Sequence, residues 1–297
     1  MADLLEFLHK DGLSEVSRIN YIQKITRMMD LFDTNIENIL ENPDTYIDRL
    51  KKIYKNIRSL KAFYGTLLSV YKYNDDYKKK NDKDYEKWYN AFKSIDEKVV
   101  KETSYNQATN RQVEGWVDFD VFRKKLDTLP VGSKDRLLIA MYSLIRPLRA
   151  DMNAIRIYHT RVPKEGVEAN YIVLTKKTGK LVLTEYKTSR KMGKLEIDFP
   201  PALVKEIHDS LQHDKRDWLF ESKGMPYNAS TFNKWVNARF KALFDKPLTI
   251  SILRHSYVST EIDLNNISEA ERAEIARTMG HTASQQLNYR LLNVKKD

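Results

Sequence analysis

Residues 249–260 read TISILRHSYVST, an amphipathic helical pattern that sets Arg254 and His255 early in the helix among isoleucine and leucine. Three further stretches share this mixture of apolar residues and isolated cations. Upstream, residues 145–157 read IRPLRADMNAIRI, so Arg146 and Arg149 follow an apolar helix and precede a strand. Residues 185–197 read EYKTSRKMGKLEI, a basic hairpin-like turn containing Lys187, Arg190, Lys191 and Lys194. Downstream, residues 279–292 read MGHTASQQLNYRLL, where Gly280 and His281 follow a helix and Tyr289 stands eight residues beyond His281. Helix, strand, turn and helix signals in this order predict a mainly α fold with a small antiparallel β-sheet.

Outward from these stretches, strand-like runs occupy residues 155–158, 171–175, 181–184 and 195–199, with Gly179 and Gly193 as turn residues. Helices are expected over residues 118–129, from the cap Ser133 through Leu137, Leu138, Met141 and Leu144, and from Pro200 and Pro201 through Leu203, Ile207 and Leu211. Helix dominates again from Ser230 onward. The tract SYNQATNRQVEG is polar and aperiodic and reads as a linker. The division is then a helical domain over 1–103, a linker over 104–116 and a mixed α+β domain over 117–297. In the first domain Ser14 can cap a helix carrying Val16, Ile19, Ile22, Met29 and Phe32. Pro43 opens a longer helix with Ile47, Leu50, Ile53, Ile57, Leu60, Tyr64, Leu67 and Tyr71 on one stripe. A third carries Tyr85, Trp88, Phe92, Ile95 and Val99. With a leading turn around Leu4 to Leu8, these predict a bundle of about four helices, Lys78, Lys79 and Lys80 lying in the connection before the last.

A charged fraction of 31% beside a hydrophobic fraction of 41% describes folded helices with solvated faces and excludes a disordered chain. The formal net charge of +10 suits a polyanionic partner, because cations placed on phosphates release condensed counterions. There is no cysteine, which removes disulfide scaffolds, thiolate zinc sites and cysteine nucleophiles. Asp3, Glu6 and Lys10 among the first leucines are wrong for a signal peptide, and no apolar run approaches the roughly 20 residues that span a bilayer. A soluble intracellular protein without a membrane partner is expected.

Taken singly, each of the four stretches has an ordinary explanation. An arginine at a helix end is usually a surface charge, a tyrosine on a leucine-flanked helix usually packs, and a lysine-rich turn is usually solvated. Taken in order they fit attack on a phosphodiester. Planar guanidinium groups can hold two non-bridging oxygens at once as charge builds in the transition state. A tyrosine nucleophile conserves the bond energy in a phosphotyrosine, so rejoining needs neither ATP nor metal. A lysine or histidine can donate the proton that the departing sugar oxygen requires. The sequence offers no carboxylate cluster for a two-metal nuclease, and no metal or cofactor is expected.

LRHS, the later GH and the tyrosine beyond it resemble the tyrosine recombinase, or phage-integrase, family over most of residues 117–297. The N-terminal bundle is similar to that family's core-binding domain in size and position. PLRAD looks more like the arginine motif of divergent viral members than the common bacterial GLRxxE form, and points to a virus or mobile element. The resemblance implies Arg149 as the first catalytic arginine with Arg146 as the alternative, and Lys187 as the hairpin lysine with Lys191 as the alternative. It implies Arg254 as the second arginine, His281 as a phosphate ligand and Tyr289 as the nucleophile. Two positions depart from the family pattern. Ser251 stands where a histidine is usual, next to a family-like His255. Met152 stands where an acid is usual, with Asp151 one residue earlier as a supporting group. The partner implied is double-stranded DNA, gripped between the two domains in a C-shaped clamp. The chain would be a monomer or dimer in solution and a homotetramer on DNA, exchanging strands between two sites through a 3′-phosphotyrosine. Only Arg290 to Asp297 follow Tyr289, so any tail exchanged between copies is short. A type IB topoisomerase shares the chemistry, and a catalytically inactive DNA-binding relative shares the residues.

Overall fold

The computed structural model describes residues 3–9, 13–104 and 106–291 and divides into two compact units, residues 1–104 and 105–297. The tail expected after Tyr289 lies, from Leu292 onward, outside the described residues.

The first unit opens with a 3-10 turn at Asp3–His9, followed by α1 (Glu15–Phe32), α2 (Ile36–Glu41), α3 (Pro43–Ile53), α4 (Ile57–Lys72), α5 (Asp75–Lys80) and α6 (Asp82–Ser104). Ser14 does cap α1, accepting from the Ser17 N–H at 3.1 Å. α1 buries only part of the expected stripe: Phe32 is inside and Met29 packs partly buried on the core, joined by Ile25 and Met28, while Val16, Ile19 and Ile22 are 69%, 44% and 40% exposed. Both stripes satisfy a helical period, and only the position of neighbouring helices selects between them. The long helix expected from Pro43 breaks in two, because Asn56 caps α4 by accepting from the N–H groups of Arg58 and Ser59. Lys78, Lys79 and Lys80 form the last turn of α5 rather than a loop. The core closes where α4 meets α6: the Trp88 indole N–H and the Tyr71 hydroxyl both donate to the Leu40 carbonyl, at 3.1 and 3.0 Å.

In the second unit the stretch read as a linker contains α7 (Asn110–Glu114), started by a reciprocal capping box between Thr109 and Gln112. The helix expected over 118–129 shortens to α8 (Phe119–Lys124) and a 3-10 turn at Lys125–Thr128. Ser133 caps α9 (Lys134–Ser143), whose Leu137, Leu138 and Met141 are buried. Four strands follow, β1 (Arg156–His159), β2 (Asn170–Leu174), β3 (Gly179–Leu183) and β4 (Leu195–Asp198), paired in that order. The sheet is mixed and not antiparallel throughout. β2–β3 and β3–β4 are antiparallel, but β1 runs parallel to β2, with Ile157 opposite Ile172. Residues 160–169 are long enough to carry the chain back to the starting end of β1, which a tight hairpin turn cannot do.

Between β3 and β4 the basic turn holds one short helix, α10 (Ser189–Met192). Pro201 starts α11 (Pro201–His213), which packs on α9 through a paired fork: Arg136 Nε and Nη2 each donate to a Glu206 carboxylate oxygen at 2.8 Å. A tight hairpin, β5 (Glu221–Ser222) and β6 (Met225–Pro226), turns on Lys223 and Gly224 at positive φ, and the sequence reading passed it over. The chain then runs through α12 (Ala229–Phe244), α13 (Ile250–Thr260), α14 (Glu269–Thr278) and α15 (Ala283–Leu287). The core of this unit gathers Phe122, Leu138, Ile172, Leu181, Leu203 and Phe240 beneath the sheet and α13. Among the described residues no helix is long and apolar enough to cross a membrane.

Candidate active site

Arg254 organises the site from α13. Thr249 caps this helix, and the Ser256 hydroxyl ties it to the Val117 carbonyl at 2.7 Å. Arg254 is 1% exposed, a burial that a guanidinium tolerates only when hydrogen-bonded. Its Nη1 donates to the carbonyls of Pro147 at 2.6 Å and Met279 at 3.0 Å, and its Nε donates to the Tyr289 hydroxyl oxygen at 3.3 Å. Nη2 is buried without a partner among the described residues. Burial lowers the pKa of Arg254, opposed by the neighbouring Tyr289, yet a guanidinium stays charged across the physiological range.

The second cation is Arg149, which begins the 3-10 turn at Ala150–Met152. Its backbone carbonyl accepts from the Tyr142 hydroxyl at 3.2 Å, and its Nη1 donates to the Gly280 carbonyl at 2.6 Å. Arg146 is turned elsewhere, donating to the Thr278 hydroxyl at 2.8 Å and interacting with the Tyr257 phenol. Of the two arginines proposed from sequence, Arg149 is the one placed beside Tyr289.

The GH pair follows from how α14 ends. Gly280 adopts φ +70°, its N–H bonds the Arg277 carbonyl at 2.9 Å, and the His281 N–H reaches back to the Ala276 carbonyl at 3.0 Å. These are the two bonds of a Schellman ending, which asks for glycine at the left-handed position. The turn faces the carbonyls of Met279 and Gly280 toward the two arginines and leaves His281 buried. The His281 ring stacks on Tyr289, centroids 5.1 Å apart and 28° between planes. Its Nδ1 donates to the Thr282 carbonyl at 3.3 Å, and Nε2 is buried without a partner among the described residues. Burial, then Arg254 and Arg149, push its pKa down to about 3, so the ring is neutral in the free protein.

Tyr289 lies in the turn just after α15, not on the helix itself. Burial alone would raise the pKa of its phenol. The charge and hydrogen bond of Arg254, joined by those of Arg149, outweigh that and leave it lowered. The Arg254 guanidinium carbon also lies 4.8 Å from the centre of the ring. A phenol with a depressed pKa, held by guanidinium groups in a partly dry site, has the chemistry that a nucleophile requires.

Lys187 is exposed at the edge, in the turn between β3 and β4. Its N–H donates to the Asp151 carboxylate at 3.3 Å, and Thr188 beside it donates to the same Gly280 carbonyl that Arg149 holds, at 2.8 Å. The turn bearing Lys187 is therefore docked at the site, while Lys191 sits on α10. Burial raises the pKa of Asp151, against the pull of the Lys187 N–H and Arg149. Ser251 is exposed on the first turn of α13 and makes no side-chain hydrogen bond among the described residues. His255 faces Tyr289: its Nδ1 donates to the Tyr289 carbonyl at 2.9 Å, and burial lowers its pKa.

The sequence reading missed Tyr142, Thr188 and Ser259. Thr188 adjoins Lys187, and Ser259 is one helical turn beyond His255, so helical spacing offered the only signal for it. Among the described residues no group of three or more histidine, aspartate and glutamate side chains is placed to hold a metal ion. Comparison with models of known protein families and with curated proteins finds no match to this chain.

Proposed function

We propose that this chain cuts and rejoins double-stranded DNA through Tyr289, as a site-specific recombinase of the tyrosine type. The observation that carries the reading is the convergence of Arg254, Arg149 and His281 on one tyrosine, with Arg254 Nε 3.3 Å from its hydroxyl oxygen. In the cutting step Tyr289 loses its proton to water and its oxygen attacks phosphorus. The bond from phosphorus to the 5′ oxygen breaks, and that oxygen takes a proton from the Lys187 ammonium. The products are a 3′-phosphotyrosine and a 5′-hydroxyl. Attack by the 5′-hydroxyl of a second strand runs the same steps backwards and releases Tyr289.

Arg254 and Arg149 meet the charge that grows on the non-bridging oxygens, which is where preorganised donors act most strongly. His281 is neutral before DNA arrives, and an adjacent phosphate favours its protonated form, able to donate from both ring nitrogens. The net charge of +10 favours a duplex partner by counterion release. Exchange between two duplexes calls for one nucleophile per strand, hence a homotetramer on DNA.

A library of nicked duplexes, incubated with wild type and with Tyr289→Phe, tests this on denaturing gels. Protein covalently joined to a 3′ DNA end, formed by wild type alone, is the expected result. Tight DNA binding without adduct from either protein would move the reading to an inactive DNA-binding relative. Supercoil relaxation without strand transfer between sites would move it to a type IB topoisomerase.

A further inference from the structure

We propose that His255 and Ser259 are positioning residues that latch the backbone of the Tyr289 turn onto α13 and so hold the Tyr289 hydroxyl against Arg254. The inference rests on the reading of Tyr289 as the nucleophile. α13 presents three side chains to this turn within two helical turns. Arg254 meets the phenol oxygen, His255 Nδ1 donates to the Tyr289 carbonyl at 2.9 Å, and Ser259 Oγ accepts from the Leu291 N–H at 2.9 Å. The Ser259 hydroxyl proton also points at the Tyr289 carbonyl, at the longer distance of 3.5 Å. The His255 ring packs on the Tyr289 ring, centroids 4.9 Å apart. A fourth link lies just beyond, where Arg290 Nη1 donates to the Asn265 side chain at 2.9 Å.

The need for a latch follows from where Tyr289 sits. α15 is five residues long and ends at Leu287, so Tyr289 lies past the helix, in a turn closed only by i→i−3 bonds. The N–H groups of Tyr289 and Arg290 bond the Gln286 and Leu287 carbonyls at 2.9 and 3.3 Å, which leaves the Tyr289 carbonyl and the Leu291 N–H to be held from α13. A nucleophile misplaced by about an ångström loses much of its rate. One rigid helix that grips the phenol oxygen and the backbone behind it removes that freedom.

The ionisation of Tyr289 is set by burial, by Arg254 on α13 and by Arg149 ahead of the 3-10 turn; the rings of His255 and His281 pack against it, and Asp151 is close enough to act on Arg254. If the latch is released, the phenol drifts from Arg254 and its pKa climbs back toward that of free tyrosine. Asparagine can replace the histidine here, because its side-chain amide nitrogen occupies nearly the position of Nδ1 and donates in the same direction.

The test compares wild type, His255→Ala, His255→Asn and Ser259→Ala in two measurements. The first, independent of any catalysis, is the titration of the Tyr289 phenol by NMR with a ring-labelled tyrosine, assigned against Tyr289→Phe. His255→Ala and Ser259→Ala should raise that pKa, and His255→Asn should restore it. The second is single-turnover adduct formation on DNA. His255→Ala should slow it about tenfold, the effect of losing one net hydrogen bond, with DNA affinity unchanged and the pH dependence of the rate moved upward. His255→Asn should recover most of the rate. An unshifted phenol in His255→Ala, or His255→Asn behaving like His255→Ala, overturns the latch. Shifted phenol titration in a protein that forms no adduct would keep the latch and remove the proposed function instead.

Discussion

Replacing Arg254 by lysine separates charge from geometry at the centre of the site. The guanidinium makes three hydrogen bonds, two from Nη1 to the Pro147 and Met279 carbonyls and one from Nε to the Tyr289 hydroxyl oxygen. A lysine ammonium keeps the positive charge and can reach the two carbonyls, but it has no second face to turn toward the phenol or a phosphate. The fork at Nε and the unpartnered Nη2 are both lost. Loss of one preorganised donor to developing charge costs on the order of 10²–10³ in rate. The buried carbonyls are held less well, at about 1–3 kcal/mol. For a unit of this size that lowers the melting temperature by roughly 2–12 °C. The assay is single-turnover adduct formation with protein in excess over nicked DNA, run beside a thermal melt. A folded Arg254→Lys protein that forms adduct within roughly threefold of wild type would refute the role given to the guanidinium fork.

Lys187→Ala should slow adduct formation, and a substrate with sulfur in place of the bridging 5′ oxygen should erase the defect, because a thiolate leaves without a proton; a defect equal on both substrates would rule Lys187 out as the proton donor. Gly280→Ala places a Cβ 3.8 Å from the Tyr186 ring, without a clash, so its penalty is the left-handed backbone at φ +70° alone. About 1–2 kcal/mol of destabilisation is expected, less for Gly280→Asn, measured by urea unfolding; equal effects of the two would place the cause elsewhere. His281 has a folded pKa of about 3, below the usual histidine value, so its neutral burial contributes stability that is complete above pH 6.5 and is lost as pH falls toward 3. The total is roughly 4–5 kcal/mol, with His255 acting in the same direction, and His281→Phe should flatten the fall in unfolding free energy between pH 7 and 5; an unchanged slope would mean His281 is not buried neutral.

What could be read from the sequence is what depends on a residue's own backbone chemistry. The caps at Ser14 and Ser133, the start of α11 at Pro201 and the four strands of the sheet are local events, and their signals are local. The direction of β1 is not local. The same alternation suits either a parallel or an antiparallel neighbour, and only the path through residues 160–169 decides. The buried face of α1 was legible only at its C-terminal end, at Met29 and Phe32, for a similar reason, since Ile22 and Ile25 both fit a helical stripe and the packed neighbours choose. At the site, arginine, lysine, histidine and tyrosine could be named because side-chain chemistry is written in the sequence. Their anchors could not: the Pro147, Met279 and Gly280 acceptors are backbone carbonyls, which every residue carries. His255 shows the limit sharply, because its partner is the carbonyl of Tyr289 and not the phenol.

The unpaired atoms at the centre of the site connect its stability to its proposed task. Among the described residues, Arg254 Nη2 and His281 Nε2 are both buried without a hydrogen-bond partner, and so are both amide atoms of Gln286 on α15. Each such group costs about 1–3 kcal/mol relative to a paired one, and a core selected only for stability would pair or remove them. Arg254 and His281 are the two with a charged or polarisable atom beside Tyr289, and a phosphate oxygen is the acceptor that both could share once His281 takes a proton. On the proposed function, folding leaves Arg254 and His281 short of acceptors that a bound phosphodiester would supply, so such binding should stabilise the second unit by more than counterion release alone. The comparison that isolates this is the rise in melting temperature on adding duplex DNA to wild type and to a Tyr289→Phe, Arg254→Met, His281→Phe triple variant at high salt, where nonspecific phosphate contacts are screened. A rise in wild type that the triple variant lacks is the expected outcome, and equal rises would show that the unpaired atoms contribute nothing to holding DNA.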